Sequence, residues 1–169
     1  MPIDPKIEQP TREMLGHAIR HELGELASVI QAAGNDTLLA SIPLCLFASA
    51  YIAIDVCDRW PTNTDIRQIA KSAAESETGL DITEQEIYEY LSLVALGTLR
   101  LDDVFSTEGV TPIPLFATAN LLLTFCPKEK QWWEYLDQMW DATEKAESTS
   151  LSVLPALILR ANKERKSTP

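Results

Sequence analysis

The chain has 169 residues, of which 46% are hydrophobic and 23% charged, a composition typical of a globular domain that buries a core. Its net charge of −11 favours solubility or a basic partner. Because an acidic surface repels phosphate groups, we expect neither nucleic acid nor an anionic membrane as a partner.

The apolar residues recur at helical spacing, only 6 residues are glycine, and no segment alternates as a strand would. The sequence therefore predicts an all-α fold, a compact single-domain bundle of about seven helices over residues 1–169. We expect the ends, residues 1–10 and 161–169, to be flexible. The predicted helices, in chain order, cover residues 11–33, 36 or 37 to 58 with a bend at Pro43, 65–76, a segment that opens at Thr83, 112 or 114 to 125, 127–147 and 151–160.

The second and fifth of these helices are apolar on nearly all sides. The uncharged runs 37–54 and 109–127 approach the length of a membrane span. Proline, serine and asparagine interrupt them, and the basic flank expected of a cytoplasmic end is missing apart from Arg59. We therefore predict that they are the two central helices of the bundle and not membrane spans.

The chain carries three cysteines, Cys45, Cys57 and Cys126, and none belongs to a CxxC pair. An odd number at irregular spacing is not typical of a disulfide framework or of a zinc site. The first residues, "MPIDPKIEQPTREM", lack the basic and then apolar pattern of an export signal. These features predict reduced thiols and a cytoplasmic location.

The stretch "TDIRQIAKSAAESETGLDITEQEIYEYL" contains two helices whose apolar spacing is that of a helix-turn-helix. The connection 74–83 is longer than the usual turn of three or four residues. Residues 75–108 hold nine acidic residues and one basic residue, a net charge of −8 that opposes binding to DNA. We predict a packed helix pair with an acidic outer face, and Glu84, Glu86 and Glu89 are candidates for binding a basic partner.

Glu13, His17, His21 and Glu25 recur every four residues, which places them on one face if residues 11–33 form a single helix. Two histidines at this spacing can chelate a metal ion, and carboxylates can complete the site. The same spacing is also typical of exposed Glu–His pairs on a polar helix face. We expect no cofactor.

Glu22 falls within the apolar stripe of the same predicted helix, where an unpaired carboxylate would be costly. Three interpretations are open for it. It could pair with an arginine of another helix, such as Arg67 or Arg100, lie at a subunit interface, or line a pocket.

Asp55 closes the second predicted helix, at the end where the helix dipole disfavours a negative charge. With Glu22 and Arg67 it makes the candidate set for a buried polar or ligand-binding site. Paired carboxylates can do acid–base work or bind metal between helices, although the Glu-x-x-His pattern of di-metal bundles is absent.

The sixth predicted helix carries Trp132, Trp133 and Trp140. An aromatic stripe at helical spacing belongs to a core or, where it is exposed, to a surface that binds a protein. The chain also lacks a Gly-rich phosphate loop, a GxSxG elbow and an HExxH motif. We therefore expect a non-enzymatic acidic protein-interaction factor (an adaptor, inhibitor or immunity-type protein) that binds a protein partner or a second copy of itself. The alternatives are a ligand- or metal-binding bundle and a helix-turn-helix transcription regulator.

Overall fold

A computed structural model describes residues 3–76, 79–96 and 113–144. These residues form α-helices and contain no strand, which confirms the prediction of an all-helical bundle. The described helices number six where seven were predicted, and the predicted helix 151–160 lies outside the described residues. The six helices are α1 (Pro5–Ile19), α2 (Leu23–Cys57), α3 (Asn63–Glu75), α4 (Glu84–Leu96), α5 (Ile113–Phe125) and α6 (Trp132–Glu144).

The predicted continuous helix 11–33 is wrong, because the chain turns between α1 and α2. The α1 helix begins at Pro5, where Asp4 caps it by accepting a hydrogen bond from the Lys6 backbone N–H at 2.9 Å. It ends before His21, whose φ of 59° lies in the left-handed region. Few residues other than glycine adopt this conformation, although histidine does so more often than most. Residues after His21 therefore do not lie on the helix faces that a single helix over 11–33 would give them.

Gly34 divides α2 into two segments that meet at a kink. Its φ of 78° and ψ of 167° are not helical, and this conformation is essentially restricted to glycine. The kink coincides with the "GND" signal that ended the first predicted helix. Residues before it are mostly exposed, whereas most residues from 41 to 54 are buried. Pro43 sits on an exposed side of the second segment.

The two most apolar helices, α2 and α5, lie at the centre of the bundle. Each packs against the other and against α1, α3, α4 and α6. Among the described residues, α2 is also the one helix long and apolar enough to cross a membrane, and 72% of its most apolar 18-residue window is buried within the fold. The largest fully buried side chains include Tyr51 and Ile52 from α2, Leu121 and Leu122 from α5, and Tyr135 from α6.

Local hydrogen bonds mark the starts of α3, α4 and α6. Thr62 with Asp65 and Thr83 with Glu86 each form a reciprocal capping box, so α4 begins where the sequence predicted. The α6 helix begins at Trp132, five residues after the predicted start at 127. Residues 127–130 form a turn closed by a 2.9 Å hydrogen bond from the Lys130 N–H to the Pro127 carbonyl.

Candidate functional site

The outer side of α6 combines an exposed tryptophan with carboxylates. Trp133 has 45% of its surface exposed, and positions 133, 137, 141 and 144 fall within one face of a helix. We call the exposed residues at these positions the α6 face: Trp133, Asp137, Asp141 and Glu144. No lysine or arginine occurs between residues 132 and 144. This surface therefore offers an aromatic ring and negative charge together.

The Trp133 ring packs against the ring of the neighbouring Trp132. The two indole rings meet edge to face with their centroids 5.7 Å apart. Trp132 in turn lies over Gly16 of α1, where an added Cβ would come within 3.5 Å of the indole ring and 3.1 Å of Arg20 Nη1. The absence of a side chain at Gly16 therefore leaves room for this ring. The contact of Trp132 with Gly16 therefore joins α1 to the first turn of α6.

Trp140, by contrast, belongs to the core. It is 3% exposed, and its Nε1–H has no hydrogen-bond acceptor among the described residues. The Arg12 guanidinium lies over its ring, 4.9 Å from the centroid, and also pairs with Asp137 at 2.6 Å. Of the three tryptophans predicted as partner-binding candidates, Trp133 is therefore the one presented to solvent.

Comparisons of this chain with protein-family models, with curated proteins and with solved structures find no match. The chemistry of the described residues is therefore what points to a function.

Asp55 belongs to a polar network that joins the last turns of α2 to α6. Its Oδ2 accepts a hydrogen bond from the buried Tyr135 hydroxyl at 2.8 Å. One turn earlier, the Tyr51 hydroxyl accepts a hydrogen bond from Gln138 Nε2 at 2.8 Å, and Gln138 Oε1 accepts one from Lys130 Nζ. The half-buried carboxylate of Asp55 therefore has a hydrogen-bond donor from α6, a contact between distant segments that no local sequence pattern predicts.

The structure does not bring Glu22 and Asp55 together. Glu22 lies at the start of α2, with 40% of its side chain exposed, because the turn at His21 takes it out of the predicted apolar stripe. Its Oε2 pairs with His17 Nδ1 at 2.6 Å and with Arg20 Nε at 3.0 Å. These hydrogen bonds, that from His17 first, lower the pKa of Glu22 below its ordinary range. Its partners are therefore these two neighbours and not Arg67, and Arg100, the other arginine proposed for it, lies outside the described residues.

The same turn disperses the ladder of Glu13, His17, His21 and Glu25. His21 lies between the two helices, under Gly79, whose added Cβ would come within 2.8 Å of the imidazole ring. Glu25 is exposed in the first turn of α2, while Glu13 accepts a hydrogen bond from Gln9 at 2.9 Å. Within residues 3–76, 79–96 and 113–144, no group of three or more His, Cys, Asp and Glu side chains is arranged to hold a metal ion.

The predicted acidic surface of α4 is mixed in charge. Glu86 is occupied in the capping box of Thr83, which lowers its pKa, and Glu89 accepts a hydrogen bond from Gln85 at 2.7 Å. Glu84 lines an open groove of about 470 Å³ between α3 and α4. Arg67 and Lys71 of α3 line the same groove, and Arg67 lies over the ring of Tyr88.

The interior between α2, α4 and α5 contains a cluster of hydroxyl groups. The Ser49 hydroxyl lies 2.9 Å from Thr118 Oγ1 and 3.2 Å from the Tyr90 hydroxyl, while Thr118 donates to the Pro114 carbonyl at 2.7 Å. Burial raises the pKa of the neighbouring Cys45 thiol to about 12. The hydroxyl groups bind one another and the Cys45 thiol is protonated at neutral pH, so this cluster serves to connect α2, α4 and α5.

Sequence reasoning missed Arg12, Gly16, Lys130 and Gln138 as residues that position the α6 face and its base. The roles of Arg12, Gly16 and Gln138 depend on contacts of α1 or α2 with α6, which are distant in the chain. Lys130, in the turn before α6, supports Gln138 eight residues later. Gly16 offered a faint signal, because a glycine in mid-helix without a turn signal often marks a close approach by another group.

Proposed function

We propose that this chain is a non-enzymatic protein-interaction factor whose α6 face binds a basic protein partner. The observation that carries the proposal is the exposed Trp133 on a helix that bears exposed carboxylates and no basic residue. One lysine or arginine of the partner can place its cation over the indole ring, and a second can pair with Asp141, about two turns further along α6. The contact of Arg12 with Trp140 uses the same chemistry inside the molecule.

The support beneath Trp133 favours a binding role. Trp132 holds the Trp133 ring from one side and is itself seated on Gly16. A side chain that is already held in place loses little freedom when a partner covers it, so more of the contact energy appears as affinity. Tryptophan is also among the residues that most often dominate binding energy in protein interfaces.

The α6 face suits a basic partner better than the α4 surface does. On α4, Glu86 is committed to its cap, and Arg67 and Lys71 stand beside Glu84. A basic partner approaching there meets two cations. On α6, Arg12 lies over Trp140 and is paired with Asp137, and Lys130 is bound by the Gln138 side chain.

Charge also favours a different protein over a second copy as the partner. Each copy carries a net charge of −11, so two α6 faces brought together would repel each other. A basic partner would be attracted, and its binding would weaken as salt screens the charges.

The test is quantitative capture of cellular proteins on the immobilised chain, with wild type, Trp133→Ala and Asp141→Lys compared side by side. We expect one or more basic proteins to be retained by the wild type and lost, about 10-fold or more, with both α6 variants, because each removes one half of the recognition. The interaction should then be reproduced with the purified partner. Sedimentation of the wild type alone reports whether a second copy binds instead.

Two matched controls lie outside the α6 face. Leu123→Ala removes an exposed apolar side chain elsewhere, and Glu25→Lys makes the same charge reversal on α2. Both should retain the partner. Capture that is equal for the α6 variants and the wild type, or lost equally with the control variants, would contradict the proposal.

A further inference from the structure

Arg67 differs from the other arginines of the described ranges. Arg12, Arg20 and Arg59 each contact a carboxylate oxygen at 3.0 Å or less. The guanidinium of Arg67 instead lies 4.4 Å from the ring centroid of Tyr88, and its N–H groups have no partner among the described residues. The chain has 25 acidic and 14 basic residues, so carboxylates are abundant, and within the described ranges Arg67 nonetheless has no carboxylate partner.

Tyr88 holds this guanidinium in a defined position. The Tyr88 hydroxyl donates a 2.8 Å hydrogen bond to Asn63 Oδ1, which ties α4 to the first turn of α3. Stacking on the ring covers one face of the planar group and leaves its N–H edge available. A guanidinium held in this way is arranged to bind a carboxylate through two parallel hydrogen bonds.

The groove beside Arg67 has the charge of a site for a single negative group. Arg67 and Lys71 contribute two positive charges to its lining and Glu84 one negative charge, a net of +1. Lys71 also has an exposed ion pair with Glu75 outside the lining, at 3.8 Å, so Arg67 is the principal cation for a ligand. A carboxylate matches that value, whereas a phosphoryl group carries about two negative charges and would be repelled by Glu84 more strongly than a carboxylate is.

The remaining lining suits a peptide. Gln68 and Gln85 line the groove, and their amide nitrogens donate to Ser72 and Glu89, which leaves their carbonyl oxygens as acceptors. Backbone N–H groups of an extended segment are the natural donors to such acceptors. We propose that the groove between α3 and α4 binds a peptide segment through an Asp or Glu side chain, with Arg67 as the anchor of that carboxylate.

The test is an NMR titration of the ¹⁵N-labelled full chain with acetyl-Gly-Ser-Glu-Ser-Gly-amide. Versions with glutamine or phosphoserine in place of the glutamate serve as comparison probes. We expect the Arg67 Nε–H and Tyr88 amide signals to shift and saturate with the glutamate peptide, with a Kd in the range of about 1 mM. The glutamine peptide should bind about 10-fold more weakly, since it cannot form the charge-assisted pair. The phosphoserine peptide should bind no more tightly than the glutamate peptide.

Variants separate this site from the rest of the surface. Arg67→Gln should weaken binding of the glutamate peptide about 10-fold, while Lys128→Gln, which removes an equal charge from an exposed loop position, should leave it unchanged. The proposal is overturned if Arg67→Gln binds as well as the wild type, if the glutamine peptide binds equally, if the phosphoserine peptide binds more tightly, or if no signal shifts at about 10 mM peptide.

Binding of a peptide in the groove between α3 and α4 can be tested independently of the proposed partner of the α6 face. No described residue of α3 or α4 has its Cα within 8 Å of an α6 Cα. Trp133→Ala should therefore leave peptide binding in the groove unchanged, and Arg67→Gln should leave partner binding at α6 unchanged.

Discussion

The hydroxyl of Tyr135 donates a 2.8 Å hydrogen bond to Asp55, and the two residues are 80 positions apart in the chain. Tyr135 is fully buried, and its ring meets that of Tyr51 edge to face with centroids 6.3 Å apart. This pair holds the last turn of α2 against α6. With the hydrogen bond between Gln138 and Tyr51, it fixes one side of α6 against α2.

Tyr135→Phe should lower the free energy of unfolding by about 1–2 kcal/mol, because Asp55 loses a donor at a half-buried position. Tyr88→Phe is the matched control, since its hydroxyl donates to Asn63 at an exposed site. That loss should be smaller, about 0.5 kcal/mol. Urea denaturation measures the free energy of unfolding of both variants. An equal decrease in the two would contradict a role for the Tyr135 hydroxyl in holding α6 against α2.

Gly34 and Gly24 should respond to alanine in opposite directions. Gly34→Ala forces a side chain onto a backbone with φ of 78° and ψ of 167°, and should cost about 1–3 kcal/mol. Gly24 lies in the first turn of α2 with nothing within 4 Å of an added Cβ, so Gly24→Ala should raise the stability by about 0.4–1 kcal/mol. Thermal unfolding followed by circular dichroism measures both. A neutral Gly34→Ala would mean that α2 can straighten without loss.

Asp65 should make the stability of the chain depend on pH in acid. Hydrogen bonds from Arg59, at 2.6 and 3.0 Å, and then from Thr62 hold the pKa of its carboxyl far below the ordinary value of 3.8. Because the folded pKa is the lower one, this stabilisation is fully present above pH 3.8 and is lost as the pH falls below that value toward the folded pKa. Wild type should therefore exceed Asp65→Asn in stability at neutral pH, and the difference should shrink toward about pH 2.

The measurement for Asp65 is urea unfolding of both proteins at a series of pH values. The other carboxylates are common to both and cancel in the difference. Glu75→Gln is the control, since Glu75 has only an exposed ion pair with Lys71 at 3.8 Å. Its difference from wild type should stay small throughout, and a pH dependence equal to that of Asp65→Asn would contradict the assignment.

The three thiols should react at very different rates. Cys45 is 1% exposed and burial raises its pKa to about 12, whereas Cys57 and Cys126 are partly exposed with smaller increases of the pKa from burial. The thiolate is the reactive form, so Cys45 should react with iodoacetamide at pH 8 at least about 100-fold more slowly than the other two. Mass spectrometry of timed samples measures this, and all three should react alike in concentrated urea. Rapid labelling of Cys45 in the native protein would contradict its burial.

Local signals in the sequence were sufficient where the interaction is local. The capping box of Thr83 and Glu86 was predicted from four residues and begins α4 in the structure. The glycine of "GND" marked a break that the structure places at Gly34. In both cases the residues that determine the feature lie within one turn of each other in the chain, so a short sequence pattern is enough to predict it.

The turn at His21 shows where such signals end. No residue type in "AIRHELGE" predicts that His21 adopts a left-handed backbone conformation, and the apolar spacing continues on both sides of His21. Assigning one helix therefore placed Glu22 in the core and aligned the histidines with Glu13 and Glu25. The structure places Glu22 at the surface with His17 and Arg20.

By itself, the sequence determined the helical class, the acidic charge, the apolar α2 and α5 and the local caps, because periodicity, composition and capping act over short distances along the chain. Only the tertiary structure decided that Trp133 is exposed while Trp140 is buried, that Asp55 meets Tyr135, and that Arg67 rests on Tyr88. These outcomes depend on which helices meet and at what angle. Side-chain packing between distant segments sets that geometry, and no short stretch of sequence encodes it.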